Sequence, residues 1–577
     1  FLEQYPHVKT HIEALHGQVR SCSRHAGGVV IAENLDQYMP LINSGGVRQT
    51  PWSEGQNVRH LEPMGFIKFD LLGLSTLRMI EGAIRHILRR QGNENPSFEE
   101  VRAFYDENLH PDKIDLNDQN VYENIFRKGK WAGVFQFTED GAQNLCMVAK
   151  PTSIIDIAAV TSIFRPGPLS AKVDRDYVEA KENPQYIQYH NEDYREVTEE
   201  TYGFLIFQEQ ISALAHRLGK DLSLDEGNML RKVLTKKGTG KTAKVKEALY
   251  TKFVDGCTEK GMTNRQAKAL WEKFEFFSGY GFNKSHAISY SMISFQCAWL
   301  LNYHPECWMA AFLDKEPETR KAKAITIAKK YGFDIAKLNI NTSGKVWEIS
   351  EDGSTLIQPL TAIKGLGEAA IKQVISNRPF VNVEEFLFNE NITYSKLNKR
   401  ALDVLVRSGA LDPLKDDRFT GGKHFWSAVA VDRPRKLKNF EENIVTYAPE
   451  GDFSEEEEIQ FIIDLTGEFP LERVMTEDIR ERLDKMCVPP ISMFDPELMV
   501  TWFIPRKCIS KKTRTGKDYW ILEVTDENNA ATSIRCWGVD PKKDSIALNR
   551  PYMARLEHSD QWGFSTRSLR NNFRVLG

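Results

Sequence analysis

The stretch GFIKFDLLGLSTLRMI, residues 65–80, sets a carboxylate and an ammonium inside an apolar run. A charge taken out of water must be paired, bound to a cation or neutralised by a shifted pKa. Lys68 and Asp70 therefore restrict what this segment can become more than any other residues in the chain. As a strand, the segment alternates faces: Phe66, Lys68 and Asp70 share one face, and Ile67, Phe69 and Leu71 form a wholly apolar reverse face that anchors it. Gly73 offers a turn. Leu74, Leu77, Ile80, Ile84, Ile87 and Leu88 then recur as a helical stripe. The expected unit is a strand ending in a carboxylate, a turn and a long amphipathic helix. On this stretch alone two roles for Asp70 stay open: tying the turn or capping the helix, or holding a cation.

A chain of 577 residues exceeds one hydrophobic core, so about three to five domains are expected. Hydrophobic residues at 41% and charged residues at 27% are those of a globular protein. No run of 18 apolar residues occurs, so no membrane-spanning helix is expected, and no signal-peptide pattern is seen. The eight cysteines form no C-x-x-C pair, which argues against structural zinc and for a reduced, cytoplasmic setting. Cys297, His304 and Cys307 are neighbours in sequence but lack a zinc spacing. Net charge is −4, so bulk charge announces no polyanion partner. Its distribution is more telling. Arg231, Lys232, Lys236, Lys237, Lys241, Lys244, Lys246 and Lys252 face only Glu247 in their segment, whereas 441–458 is acidic and ends in SEEEE. One surface for polyanions and one solvated linker are expected. The first residue is Phe1, not Met, which reads as a fragment or a processed product.

Along the chain, residues 1–22 read as a helix end, and HAGGVVIA at 25–32 as a glycine turn feeding a short buried strand. The pattern is loop-rich over 33–64 and mainly helical from Leu74 to about residue 315. Strand-like pieces follow at 340–363, then helices over 361–411 around a Gly-x-Gly turn, a charged and proline-punctuated segment over 412–495, and barrel-like alternation over 498–577.

Five motifs are candidates for chemistry. KKGTGKTAK at 236–244 imitates a phosphate loop, but the position that needs glycine is Thr235 and the preceding NMLRKVLTKK reads as helix, so that fold is rejected. RPGPL places Arg165 between an apolar helix and two prolines that would orient it. In FSGYGFNKSHAISYS, Asn283, Lys284, Ser285 and His286 stand at a helix start, a seat suited to a phosphate or a base edge. In TAIKGLGEAAI, Lys364 stands beside Gly365 and Gly367, whose turn can hold a backbone phosphate or simply join two helices. Finally, the basic turn with Lys511, Lys512 and Arg514, together with Trp520, Arg535 and Trp537 on neighbouring strands, suits stacking on single-stranded bases.

In order, HAGGVVI, KFDLLGL, GVFQF, FRPGPL, FQEQ, LRKVLTKK and GYGFNKSHAISYS resemble the bacterial DNA polymerase III α subunit family, the C-family replicative polymerases. The resemblance is close from about residue 10 to 415 and weaker to the end. It implies a multidomain α+β fold with a partial polymerase-β-like palm, large mostly α-helical fingers, a helix-hairpin-helix region and a C-terminal OB-type β-barrel. The implied boundaries are 1–24 for the end of the thumb, 25–75 for the C-terminal part of the palm, 76–345 for the fingers, 346–415 for the helix-hairpin-helix region, 416–495 for a charged linker and 496–577 for the OB domain.

The resemblance also implies roles. Asp70 becomes the third catalytic aspartate and a Mg²⁺ ligand, with Lys68 near the nucleotide phosphates. Arg165, Arg231, Lys232, Lys236, Asn283, Lys284 and His286 match positions lining the nucleotide and template pocket. The implied activity is template-directed DNA synthesis by two-metal nucleotidyl transfer from dNTPs to a primer 3′-hydroxyl, with primer-template DNA as partner. The family's D-x-D strand is absent from this sequence, so the chain alone is expected to be inactive until a missing N-terminal part carrying that pair is supplied. LRKVLTKK stands in place of the usual LRRAMGKK, which puts Lys232 where an arginine is common. No sliding-clamp peptide is evident before the OB region, and a phage or bacterial source fits. The rival expectation is a non-catalytic DNA-binding module using the hairpin and OB elements.

Overall fold

Gly27 and Gly28 have no room for a side chain. A Cβ at Gly27 would stand 2.7 Å from the Leu71 carbonyl oxygen, and one at Gly28 would stand 2.9 Å from the His25 ring. The glycine pair thus lets β1 (Gly28–Val30) lie antiparallel to β4 (Lys68–Asp70), with Gly28 opposite Asp70. Between them β2 (Ile42–Ser44) and β3 (Val47–Gln49) form a hairpin across Gly45 and Gly46, both at positive φ as a tight two-residue turn requires. In this computed structural model, residues 2, 5–18, 23–53, 60–165, 168–169, 172–234, 241–278, 281–513, 515–527, 532–559 and 563–576 are described, apart from the side chains of Arg231, Lys232, Lys241, Thr242, Ser278 and Glu318. The chain divides into two units, Phe1–Arg78 and Met79–Gly577.

The first unit corrects one expectation. The HAGG strand was expected to be buried and the reverse face of β4 to be anchored by apolar contact. Instead Ile67 is 68% exposed and Leu71 70%, with Val29 and Phe69 also open. Two strands of three residues make a single layer, and among the described residues of this unit no second layer covers it.

In the second unit the later part of the predicted stripe becomes a core: Ile80, Ile84 and Ile87, from helix Ser75–Arg90, join Phe295, Trp308 and Phe312, whereas Leu77 in the first turn of that helix is exposed. The Trp308 indole N–H donates to the Ala132 carbonyl at 2.6 Å, which satisfies the one polar atom of a fully buried ring. Helices Ile154–Ile163, Lys284–Tyr303 and Pro305–Lys315 bury side chains in the same core. A second cluster around Phe253, Trp271 and Phe274 is built from helices Gln208–Leu218, Leu224–Leu234, Lys241–Glu259 and Asn264–Ser278. A small sheet in the order β5 (Asp334–Ala336), β7 (Thr355–Ile357), β6 (Glu348–Ile349) follows. Beyond it, helices Glu368–Asn377 and Lys399–Arg407 pack with Phe386, Phe425 and Phe440 into a third core.

Residues 416–495, expected as a charged linker, are instead largely helical. The acid block is a helix start. The Ser454 hydroxyl accepts from the Glu457 N–H, and the Glu457 carboxylate accepts from the Ser454 N–H. Acidic residues are favoured at that end of a helix by its dipole. Helix Glu455–Thr466 then adds Leu465 to the third core.

The C-terminal segment forms one seven-stranded sheet in the order β12-β13-β10-β9-β8-β11-β14, with β8 at Val500–Lys512, β9 at Asp518–Thr525, β10 at Thr532–Trp537, β11 at Tyr552–Arg555, β12 at Glu557–Ser559, β13 at Gly563–Thr566 and β14 at Phe573–Val575. Its end strands do not pair with each other among the described residues, so it is a curled sheet rather than a closed barrel.

Helix Ser75–Arg90 also buries His86. Burial, with the nearby Arg89 charge second, pulls its pKa from 6.5 to about 4. The imidazole is neutral in the fold but takes a proton on unfolding anywhere between those values. The unfolded state therefore binds more protons across that window, and stability rises with pH through it. The loss on acidification from pH 7.5 to 4 should reach about 3 kcal/mol from this residue. Denaturation of a His86→Phe variant should show a correspondingly smaller acid loss; an identical loss in both proteins refutes the assignment.

Candidate functional site

In the first unit, strand pairing brings Asp70, Lys68 and His25 together. The Lys68 ammonium lies 3.3 Å from one Asp70 carboxylate oxygen, and the His25 Nδ1 lies 3.4 Å from the other. That Nδ1 already accepts the Gly27 N–H at 3.1 Å, so Lys68 is the charge partner. The Asp70 side chain is 48% exposed, open to solvent rather than sealed in a buried pair. Mg²⁺ takes about six oxygen ligands. Among the described residues no group of three or more His, Cys, Asp or Glu converges as a metal site. Asp70 fits as one oxygen ligand, and the described residues do not complete the set.

In the second unit, a cation cluster forms around two aromatic rings. Phe207 and Phe282 bridge as parallel backbone partners. The Arg165 guanidinium stacks on the Phe282 ring at 3.8 Å, and the His286 ring meets the same ring edge-on at 5.3 Å. The Lys284 ammonium is 5.8 Å from the centre of Phe207. The sequence attributes Arg165's orientation to two prolines. Pro166 lies outside the described residues, and the contact that orients the guanidinium is Phe282. Partial burial against this surface lowers the Arg165 pKa from its ordinary value.

The predicted phosphate seat at the start of helix Lys284–Tyr303 already holds an anion. Glu209 accepts from the Asn283 side-chain amide at 2.7 Å and from the Lys284 backbone N–H at 2.8 Å, while Glu200 pairs with the Lys284 ammonium at 2.5 Å. Glu209 lies in the FQEQ motif, but nothing in the sequence places it or Glu200 at this site, because both are distant in the chain and reach it only through the fold. Arg231 and Lys232 lie on helix Leu224–Leu234 with side chains outside the described residues, and Lys236 lies outside them altogether. Farther along the basic stripe, Lys246 pairs with Glu275 and Lys252 with Glu226, each at 2.7 Å.

At the Gly-x-Gly turn, Gly365 takes φ +90, which favours glycine, and Gly367 precedes helix Glu368–Asn377. Lys364 is exposed, and its backbone N–H is committed to the Leu465 carbonyl at 2.7 Å. Arg400, which sequence reasoning missed, brings its guanidinium within 3.6 Å of where a Gly365 Cβ would stand. It adds a forked cation to the same turn.

The sheet corrects one further assignment. Trp520 is 7% exposed and packs with Leu522, Val524 and Cys536 in the core, so it is not an open stacking ring. The outer face carries Tyr519, stacked on Trp537 at 4.8 Å. Register places Lys511 opposite Tyr519 on one side and Trp537 opposite it on the other, so the three form a row across β8, β9 and β10. Strict alternation from Trp520 would have found Tyr519. Lys512 lies 3.9 Å from Asp518, Arg535 is partly buried on the Trp537 face, and Arg514 lies outside the described residues.

Comparison with known proteins matches residues 87–261 to the bacterial DNA polymerase III alpha subunit finger domain. Residues 332–420 match a helix-hairpin-helix motif, and residues 2–73 match the model described as the bacterial DNA polymerase III alpha NTPase domain. Among similar proteins are DNA polymerase III subunit alpha of Campylobacter jejuni, 33% identical over 71% of this chain and 33% of the relative, and that of Xylella fastidiosa, 31% identical over 69% and 32%. The Aquifex aeolicus protein of the same name is 29% identical over 95% of this chain and 46% of the relative. The chain thus spans about a third to a half of the length of the curated relatives it matches.

Proposed function

The chain belongs to the bacterial DNA polymerase III alpha subunit family, and from that premise we propose that it serves template-directed DNA synthesis on primer-template DNA with dNTPs as substrates. Residues 25–75 act as part of the palm, 76–345 as fingers, the region around the 364–367 turn as a duplex-gripping hairpin and 496–577 as a single-strand-binding OB-type domain. The observation that carries the reading is Asp70: a half-exposed carboxylate at the end of a strand, facing the same way as Lys68. Asp70 supplies one carboxylate of a divided catalytic set, and a bound Mg²⁺ would supply charge for the primer hydroxyl and the triphosphate. Arg165 and Lys284 offer cations that offset charge on the incoming phosphates, with the His286 ring beside them. The row of Lys511, Tyr519 and Trp537 offers stacking and charge to an unpaired template, worth about 1–3 kcal/mol per stacked base.

A primer-extension assay tests this. The chain alone should bind primer-template DNA with an affinity that falls as salt rises. It should not extend the primer until a polypeptide carrying an Asp-x-Asp strand is added. Robust Mg²⁺-dependent synthesis by the isolated chain overturns the divided-site reading, and failure to bind primer-template DNA overturns the functional one.

A further inference from the structure

Both seats of positive charge at the start of helix Lys284–Tyr303 are filled by carboxylates of the chain itself, and the two are held very differently. Glu209 is stitched in place. Besides its two hydrogen bonds to Asn283 and Lys284, its neighbours bind the same stretch. The Gln208 N–H donates to the Phe282 carbonyl at 2.8 Å, the Phe282 N–H to the Ile206 carbonyl at 3.1 Å, and the Gln208 side-chain amide to the Gly281 carbonyl at 2.8 Å. The FQEQ segment is therefore a splint for the segment that carries Lys284. Glu200, on a short turn at Glu199–Thr201, makes one side-chain hydrogen bond among the described residues, from the Lys284 ammonium at 2.5 Å, and both groups are about one-third exposed. Arg165 forms no ion pair among the described residues, and its guanidinium stacks on the Phe282 ring.

From this asymmetry we infer that Glu200 is a displaceable counter-ion that a polyphosphate replaces on Lys284, while Glu209 stays as the fixed support. Glu200 acts through Lys284 and is a positioning residue: it holds the ammonium extended beside Phe207 when no ligand is present, and it weakens polyphosphate binding by competing for that charge. The inference rests on the reading of Arg165, Lys284 and His286 as phosphate-binding. It needs no bond to form or break, only an exchange of anions on one cation. Because the carboxylate is tethered, it competes at a fixed local concentration that free ligand must exceed.

The sign of one substitution decides the matter. Inorganic tripolyphosphate is titrated into the 577-residue chain at low ionic strength by calorimetry, comparing the parent with E200Q, E200D, K284A and E200Q/K284A. E200Q should bind about two- to fivefold tighter, the range expected for releasing a partly exposed ion pair. E200D, which keeps the charge, should bind like the parent. K284A should bind more weakly, and E200Q should bring no gain in its background. A residue with a purely structural role would weaken binding when changed. Equal or weaker binding by E200Q, with K284A still impaired, overturns the counter-ion role and leaves the phosphate reading standing. K284A binding as tightly as the parent overturns the phosphate reading and the inference with it.

Discussion

In a polymerase preparation that contains this chain and extends a primer, Asp70→Asn should lower kcat about a thousandfold or more, while primer-template affinity should stay within about twofold. Asparagine keeps the shape of the side chain and one acceptor oxygen, so a turn-tying or helix-capping role would survive the change. Only the charge is lost. A carboxylate that stabilises charge in the transition state is worth several kcal/mol, and about 4 kcal/mol corresponds to roughly a thousandfold. The neighbouring Lys68, 3.3 Å away, would then face an amide instead of a carboxylate. A defect in kcat with KM for dNTP nearly unchanged fits an interaction made in the transition state. Retention of more than a tenth of the parent rate would reduce Asp70 to a local structural residue.

Asp156→Ala should cost about 3–5 kcal/mol of stability, the usual consequence of orphaning a buried charge. Asp156 is 1% exposed and gathers five hydrogen bonds: from the Lys181 ammonium at 2.7 Å, the Thr152 N–H at 2.9 Å and hydroxyl at 3.0 Å, and the hydroxyls of Tyr177 at 3.1 Å and Tyr202 at 3.3 Å. Burial alone would raise its carboxyl pKa, but the Lys181 charge and these hydrogen bonds outweigh it and hold the pKa below the ordinary value. Removing the carboxylate strands Lys181 in a poorly solvated pocket and frees the phenols of buried Tyr177 and half-buried Tyr202. The same residue ties helix Ile154–Ile163, which leads into Arg165, to helix Val173–Glu182. Urea denaturation should show the lost stability, and hydrogen exchange should quicken in both helices. Asp156→Asn should cost less, since it keeps an acceptor for Thr152 or a tyrosine. An alanine variant as stable as the parent would sink the account.

The elements with strong periodicity were legible in the chain. The stripe from Ile80 to Ile87 forms a core face, and the segment from residue 498 onward is a sheet. Both follow from rules that act over a few residues. Errors came where one local pattern serves two structures. The SEEEE block reads as a solvated linker or as a capped helix start, and the Ser454–Glu457 reciprocal bonds decide for the helix. Trp520 and Trp537 both read as rings beside cations, and the pleat turns one inward and leaves the other beside Tyr519.

By itself the sequence determined the chemistry that is available: a carboxylate beside a lysine on one strand face, an arginine after an apolar helix, a polar quartet at a helix start. Such features depend on residues within one or two turns of each other, where covalent geometry sets the spacing. Only the tertiary structure decided what each charge meets. Glu200 and Glu209 reach Lys284 and Asn283 across more than 70 residues of chain, Arg165 reaches Phe282, and the apolar back of the Asp70 strand stays open. Those pairings depend on how helices and strands pack, and the free energy of a charge is set by the company it keeps in space, not by its neighbours along the chain.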